Sequence, residues 1–250
     1  MIRISNIKLK TDDNRLTEAA AKKLRIKEES IKDMAIRRKS LDARKKDDIH
    51  YLYTVDVTAD NEDKILKNCR DRNVSRSDYK EYALPDAQAE LKNRPVVVGF
   101  GPAGMFAALV LAKKGLKPIV AERGRDVDRR SEDVERFWRG GAFDPESNVQ
   151  FGEGGAGTFS DGKLTTRIKD PRCRFVKAGA PEEIEYEAKP HIGTDRLKGV
   201  VKNIRQEIIA LGGEVRFECP LSKIEVHNGG ICAVTVGGDR IETENVVLAI

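Results

Sequence analysis

Apolar positions recur with period two in the first quarter of the chain and with mixed periods afterwards. Ile2, Ile4, Ile7 and Leu9 alternate with polar neighbours and predict an edge strand. The alternation slips between Ile4 and Ile7, as a β-bulge makes it do. Leu16 to Leu24 read as a helix with a basic end at Lys22-Lys23, and Asp12-Asp13-Asn14 offers cap residues. Residues 31–41 resemble a strand through Met34 and Ile36, although the spacing also suits a helix. His50 to Ala59 form the clearest strand: Tyr51, Tyr53, Val55 and Val57 alternate with Leu52, Thr54, Asp56 and Thr58. This β-α-β-β order predicts a small α+β domain over residues 1–60. Residues 61–94 are polar and charged, with a short helix over 62–69. They read as a linker or arm that Tyr79, Tyr82 and Leu84 could anchor.

From Pro95 the pattern changes. Pro95 to Val98 predict a short buried strand, and residues 102–112 a helix stopped by Gly115. Residues 116–121 predict a second strand ending at Glu122. Asp126 to Arg139 read as a charged helix with Val127, Val134, Phe137 and Trp138 as its contacts. Leu197, Val200, Val201, Ile204, Ile208 and Leu211 lie on one helical face, started by Thr194 or Asp195 and ended by Gly212-Gly213. A strand follows at 215–217, then the segment Cys219 to Val226, and further strands at 231–236 and 239–243, with Asn228-Gly229-Gly230 as a hairpin turn. Val246 to Ile250 read as a buried strand. Residues 95–250 therefore predict an α/β, Rossmann-like domain with a parallel sheet and a β-meander.

Between the first two strands of this domain, Gly99, Gly101 and Gly104 stand in the spacing G-x-G-x-x-G. The first glycine permits the tight turn, the second admits a pyrophosphate to the backbone, and the third lets helix and strand pack closely. The helix N-terminus, with Pro102 and Ala103 in its first turn, offers free N–H groups and a positive dipole end. Glu122 stands where an acid can hold the hydroxyls of an adenosine ribose. Strand, glycines, helix, second strand and acid together point to dinucleotide binding. They do not choose between FAD and NAD. Arg123 could reach an adenosine phosphate, including an NADP 2′-phosphate that Glu122 disfavours, or stand in solvent. A second cluster, Gly152, Gly154, Gly155, Gly157 and Gly162, suits close approach to a flat ring and its phosphate arm. Thr158 and Ser160 add hydroxyls there, and Lys163 adds a cation.

Composition narrows the class without naming the chemistry. The chain has 250 residues, 39% hydrophobic and 35% charged. No apolar run is long enough to span a bilayer, and residues 1–10 lack the apolar core of a signal peptide. Cys69, Cys173, Cys219 and Cys232 are scattered without a C-x-x-C pair. That argues against a disulfide framework, a metal site or a redox dithiol, and makes a reducing cytoplasm the expectation. Cys173 among arginines reads as an ordinary cysteine first and as a reactive thiol second, whereas His191 after Pro190 reads equally as a loop-fixing residue and as a proton donor. The net charge is +5, and all of the excess lies in residues 1–94. A solvated basic face accounts for it, with RNA binding as the alternative. Few aromatics are present there to stack bases.

Residues 95–123 resemble the first β-α-β of the two-dinucleotide-binding-domain flavoproteins, and residues 195–250 resemble their returning helix, third strand, meander and final strand. More narrowly, Phe151–Leu164, Gly179–Ile184 and Lys189–Asp195 resemble bacterial FAD-dependent dehydrogenases of uncharacterised role that carry a small N-terminal α+β domain. The resemblance implies FAD, with hydride transfer at the flavin, an unidentified small-molecule substrate and NAD(P)H as a candidate electron donor. It implies that Gly99, Gly101, Pro102, Ala103 and Gly104 face the pyrophosphate and Glu122 the ribose, with Arg123 beside it. Leu221 would present backbone to the adenine. Gly155, Ala156, Gly157, Thr158, Ser160, Lys163 and Leu164 would approach the flavin end, and Ala249 would complete the set. It also implies a C-terminally incomplete member, lacking the later Gly-Asp segment and most of a substrate domain. A non-catalytic module, docking through the face of Tyr51, Tyr53, Val55 and Val57, is a third reading.

Overall fold

The computed structural model describes residues 1–79, 84, 90–159 and 175–250. They divide into two compact units. One gathers the described residues of Met1–Tyr82, Leu164–Val176 and Pro181–Pro190, and the other those of Ala83–Lys163, Lys177–Ala180 and His191–Ile250.

The first unit contains β1 (Ile2–Lys10), α1 (Leu16–Leu24), β2 (Ile31–Asp42), β3 (His50–Ala59), α2 (Glu62–Asn68) and β4 (Val74–Arg76). The sheet is antiparallel in the order β2-β3-β1-β4. β1 is therefore an interior strand, not the edge strand its sequence suggests. The difference lies in residues 61–79, expected as an arm with a short helix: besides that helix, α2, they hold β4, which pairs Val74 to Arg76 against Ile4 to Ile2. The irregularity in β1 falls between Ile4 and Ile7, with Asn6 at φ +56°. There the Ser5 N–H donates to the Asn73 carbonyl at 2.8 Å instead of to the ladder. Ile2, Ile4, Ile7 and Leu9 meet Val55 and Val57 of β3 and Leu16, Ala20 and Leu24 of α1 in one core. Of the docking face considered above, Val55 and Val57 are fully buried in this unit's own core and Tyr53 packs on it, so these side chains belong to the core. α1 starts after Arg15 with no side-chain cap. The Asp13 carboxylate, expected as a cap, is instead bound by the Arg15 backbone and guanidinium. The outer edge of β2 is met at Lys39, whose N–H donates to the Tyr186 carbonyl at 2.8 Å.

The second unit contains β5 (Val96–Val98), α3 (Pro102–Lys113), β6 (Ile119–Ala121), α4 (Val127–Trp138), α5 (Thr194–Ala210), β7 (Glu214–Arg216), β8 (Leu221–His227), β9 (Gly230–Val236), β10 (Asp239–Glu242) and β11 (Val246–Leu248). Four strands form a parallel sheet in the order β11-β5-β6-β7, as a Rossmann-like βαβ arrangement requires. The other three form the antiparallel meander β10-β9-β8. Val96, Val98, Ile119 and Ala121 of the sheet pack with Cys219, Val234 and Val236 of the meander. α3 touches α5, which buries Leu197, Val200, Val201, Ile204 and Ile208. α5 begins after Gly193, not after a Thr194 or Asp195 cap. α4 is capped by Asp126, whose carboxylate accepts from the Asp128 and Arg129 N–H groups at 3.1 and 3.3 Å. It buries Val127 and Val134 as expected, but with Arg130 and Asp133, while Phe137 and Trp138 are exposed. β11, expected as a buried strand, leaves Leu248 53% exposed, because among the described residues it pairs with β5 alone. No helix among the described residues is long and apolar enough to cross a membrane.

Candidate functional site

The parallel strands β5 and β6 end at the same level, and the turn after β5 is where the backbone opens. Gly99 takes φ +94°, which directs the chain from the strand into α3. Gly101 precedes the helix and Pro102 opens it. A side chain at Gly104 would collide with the Gly99 carbonyl, so the helix rests directly on the turn. The first backbone bond into α3 runs from the Met105 N–H to the Gly101 carbonyl at 2.9 Å. The N–H groups of Ala103 and Gly104 meet no acceptor among the described residues, as a helix N-terminus leaves them.

Glu122 follows β6 and is buried. Its Oε2 accepts from the Phe100 N–H at 2.6 Å and its Oε1 from the Gly124 N–H at 2.9 Å. The acid thus ties the glycine turn to the turn after β6. Each carboxylate oxygen keeps a further acceptor direction for a ligand. Arg123 donates to the Glu146 carboxylate at 2.9 Å and stacks on the Phe151 ring at 4.1 Å. It is thereby held at the cleft rim.

Residues 148–155 come back against this turn. The Gly154 N–H donates to the Phe100 carbonyl at 2.9 Å. A Cβ on Gly155 would lie 3.3 Å from both Gly101 Cα and Pro102 Cδ. Between the two glycine segments and the start of β8 opens a cleft of about 510 Å³. Of the residues selected from sequence, Gly99, Gly101, Glu122, Arg123, Gly155, Leu221 and Ala249 line it. Pro102, Ala103 and Gly104 stand behind Gly101 in the first turn of α3. Ala156 and Gly157 are exposed in a 3-10 turn that does not line the cleft. Thr158 is fully buried, and its hydroxyl donates to the Glu153 carbonyl at 3.4 Å, so it supports the loop from inside. Ser160, Lys163 and Leu164 lie outside the described residues, as do Cys173 and Tyr82.

Gly152 of the second glycine cluster lines the cleft too, and Phe151, Glu146, Cys219 and Pro220 also line it and were not singled out as cofactor contacts. Burial pushes the Cys219 thiol pKa up, so it stays a neutral thiol there. Two buried charges behind the wall were missed as well. The Arg130 guanidinium is fully buried, which lowers its pKa to about 10, with Glu122 and Glu153 opposing the shift. Glu153 is fully buried and its carboxyl is pushed up to about 7 by burial. The Val127 N–H, 2.7 Å from its Oε2, and Arg205, 3.4 Å away, work against the rise. The sequence did carry one sign of Arg130: it falls between Val127 and Val134 on the apolar face of α4. Among the described residues no group of His, Cys, Asp and Glu is placed to hold a metal ion.

Comparison with known proteins adds little chemistry to this geometry. Residues 1–58 match a family described as a domain of unknown function (DUF8436). An uncharacterised protein of Clostridium beijerinckii is 54% identical over 257 aligned positions, which take in the whole chain and 48% of that relative. The chain thus spans about half the length of the curated relative it matches. Among solved structures it is similar to THI4 of Thermovibrio ammonificans (16% identity, TM-score 0.41, 63% of this chain and 57% of that one). It is similar also to thioredoxin reductase of Lactococcus lactis (17%, TM-score 0.36, 63% and 35%) and to glycine oxidase of Bacillus cereus (14%, TM-score 0.35, 63% and 55%).

Proposed function

We propose that the second unit carries the adenosine-diphosphate part of the FAD site of an FAD-dependent oxidoreductase. One observation carries the reading. The open N-terminus of α3, the strand-end acid Glu122 and a second glycine wall at Gly152–Gly155 border the same cleft at the ends of the parallel strands. The residues fit the group. Gly101 offers backbone without side-chain bulk, with only Gly155 Cα within reach of an added Cβ, at 3.9 Å. The first-turn N–H groups of α3 hold negative charge on a pyrophosphate. Glu122 accepts ribose hydroxyls while its two backbone bonds fix its position. Leu221 and the Pro220 ring supply apolar surface for a base, and the neutral Cys219 thiol adds to it. FAD, when bound, supplies hydride transfer at its ring. The role of this chain's residues is to bind, orient and exclude water. The substrate, and NAD(P)H as donor, belong to the whole protein and extend the proposal beyond this cleft.

The test is titration of the purified full chain with FAD, followed by flavin fluorescence and competed with ADP. Saturable uptake that ADP displaces is the expected result, and Glu122→Ala should weaken it at least tenfold. Failure to take up FAD, or uptake indifferent to ADP, overturns the assignment.

A further inference from the structure

Arg130 is the largest fully buried side chain among the described residues. Among the described residues no carboxylate hydrogen-bonds it. Its nitrogens instead lie within hydrogen-bond distance of five main-chain carbonyls, all from one loop. Nε donates to Asn148 at 2.8 Å and Nη2 to Val149 at 2.9 Å. Nη1 faces Glu153 at 2.6 Å, Gly155 at 2.9 Å and Gly152 at 3.3 Å. The face of the guanidinium lies 4.8 Å from the Phe159 ring. The loop is shaped around this side chain. Gly152 takes φ +117°, and a Cβ there would strike Arg130 Cδ. A second tie runs the opposite way, from the Val127 N–H at the start of α4 to the Glu153 carboxylate. The clamped residues include Gly152 and Gly155 of the cleft wall, and Gly154 bonds the dinucleotide turn through the Phe100 carbonyl.

We infer that Arg130 is the positioning residue of the cofactor cleft: its guanidinium gathers the carbonyls of residues 148–155 and holds Gly152 and Gly155 in the conformation that walls the site. The consequence for ligand rests on the FAD reading above, while the clamp rests on geometry alone. Only a planar fork of donors can serve carbonyls spread over eight residues. A lysine brings the charge without the fork. Charge or volume alone would therefore not replace it.

The full chain is compared with Arg130→Ala, Arg130→Lys and Gly152→Ala by hydrogen exchange and FAD titration. In both Arg130 variants the amides of Glu153, Gly154 and Gly155 should exchange at least tenfold faster, while β5 and α3 keep their protection. FAD affinity should fall at least tenfold in parallel. Millimolar methylguanidinium, refilling the space left in Arg130→Ala, should restore both readouts. Unchanged exchange at 153–155 in Arg130→Ala, or full rescue by Arg130→Lys, overturns the clamp. If Arg130→Ala does not fold, Gly152→Ala decides in its place, since it displaces the clamp from the loop side and leaves the guanidinium present. Native exchange in that variant overturns the inference. Wild-type chain that takes up no FAD removes the proposed function, and the exchange measurement still decides the clamp.

Discussion

The two units each bury a charge, and they accommodate it by opposite means. In the first, Asp56 of β3 is a fully buried carboxylate met by counter-charges. Arg3 of β1 donates to it at 2.9 and 3.1 Å, Arg37 of β2 at 2.8 Å, and the Ser77 hydroxyl beyond β4 at 2.9 Å. Side chains from or beside all four strands converge on one residue. Burial pulls the Asp56 pKa up, and the bonds from Arg3, Ser77 and Arg37 more than reverse it, so it lies below the usual carboxylate value. In the second unit Arg130 is a buried cation met by backbone dipoles, and burial lowers its pKa to about 10. The first arrangement locks regular strands that already have a ladder. The second organises a loop that has none, where the Asn148 and Val149 carbonyls meet no other donor among the described residues. A charge among strands adds register, whereas a charge inside a loop ties together carbonyls that the loop's own bonds leave apart or unpaired.

That contrast can be broken by substitution. The largest effect is expected from Arg130→Met, which leaves the Asn148 and Val149 carbonyls without a donor among the described residues and removes one from three more. It should cost about 3–5 kcal/mol in denaturant unfolding of the full chain. A cost under about 1 kcal/mol would mean that the loop holds its shape without the cation. Next comes Glu153, where the pH dependence has a definite sign. Its folded pKa, about 7, lies above the ordinary 4.5, so between those values the folded state binds more protons than the unfolded state. Its contribution is most favourable below pH 4.5 and is lost as pH rises to 7, by a total on the order of 3 kcal/mol. The charged groups around it are Arg205 of α5 and Asp126, Asp128 and Arg130 of the α4 region. Glu153→Gln should flatten that slope, and an unchanged slope would assign it elsewhere.

Asp56 has the opposite sign. Its lowered pKa makes its contribution present above the ordinary 3.8 and lost as pH falls through the folded value. Asp56→Asn leaves Arg3 and Arg37 facing a neutral amide and should cost about 2–3 kcal/mol, less than Arg130→Met because both arginines reach solvent. The smallest effect is expected from Lys202→Ala, which removes an exposed pair with Asp128 at 2.7 Å. It should change unfolding by about 0.5 kcal/mol or less, and a larger value would show that α4 and α5 depend on surface charge.

The legible parts of the chain were those whose information is local. The bulge between Ile4 and Ile7 shows as a slipped alternation, because side chains in a strand alternate with period two. The turn at Asn228-Gly229 shows because both residues take positive φ, at +50° and +80°, which few residues accept. Gly99 is readable for the same reason, and Gly104 because a side chain there would strike the Gly99 carbonyl, whereas the backbone makes no such demand at Gly101. β4 was not readable. Three residues of mixed polarity carry no period, and Val74 to Arg76 became a strand only because β1 offered an open edge. The buried faces of α4 were misjudged at Phe137 and Trp138 because their exposure depends on what neighbours the end of the helix. Thr158 was readable as a loop hydroxyl but not as one turned inward.

By itself, the order of residues determined a small α+β unit, a parallel βαβ unit with a meander, and the turn at Gly99–Gly104 with Glu122 beyond the second strand. Periodicity, turn chemistry and glycine spacing are short-range properties, and the chain states them wherever it runs. The tertiary structure alone decided that residues 148–155 return to the glycine turn at Gly99–Gly104, that Glu122 bonds Phe100 and Gly124, and that Arg130 lies inside the loop and not in water. A buried arginine reads like a surface arginine in sequence, since both are one charged residue on a helix. Only the positions of distant carbonyls determine whether that charge leaves water.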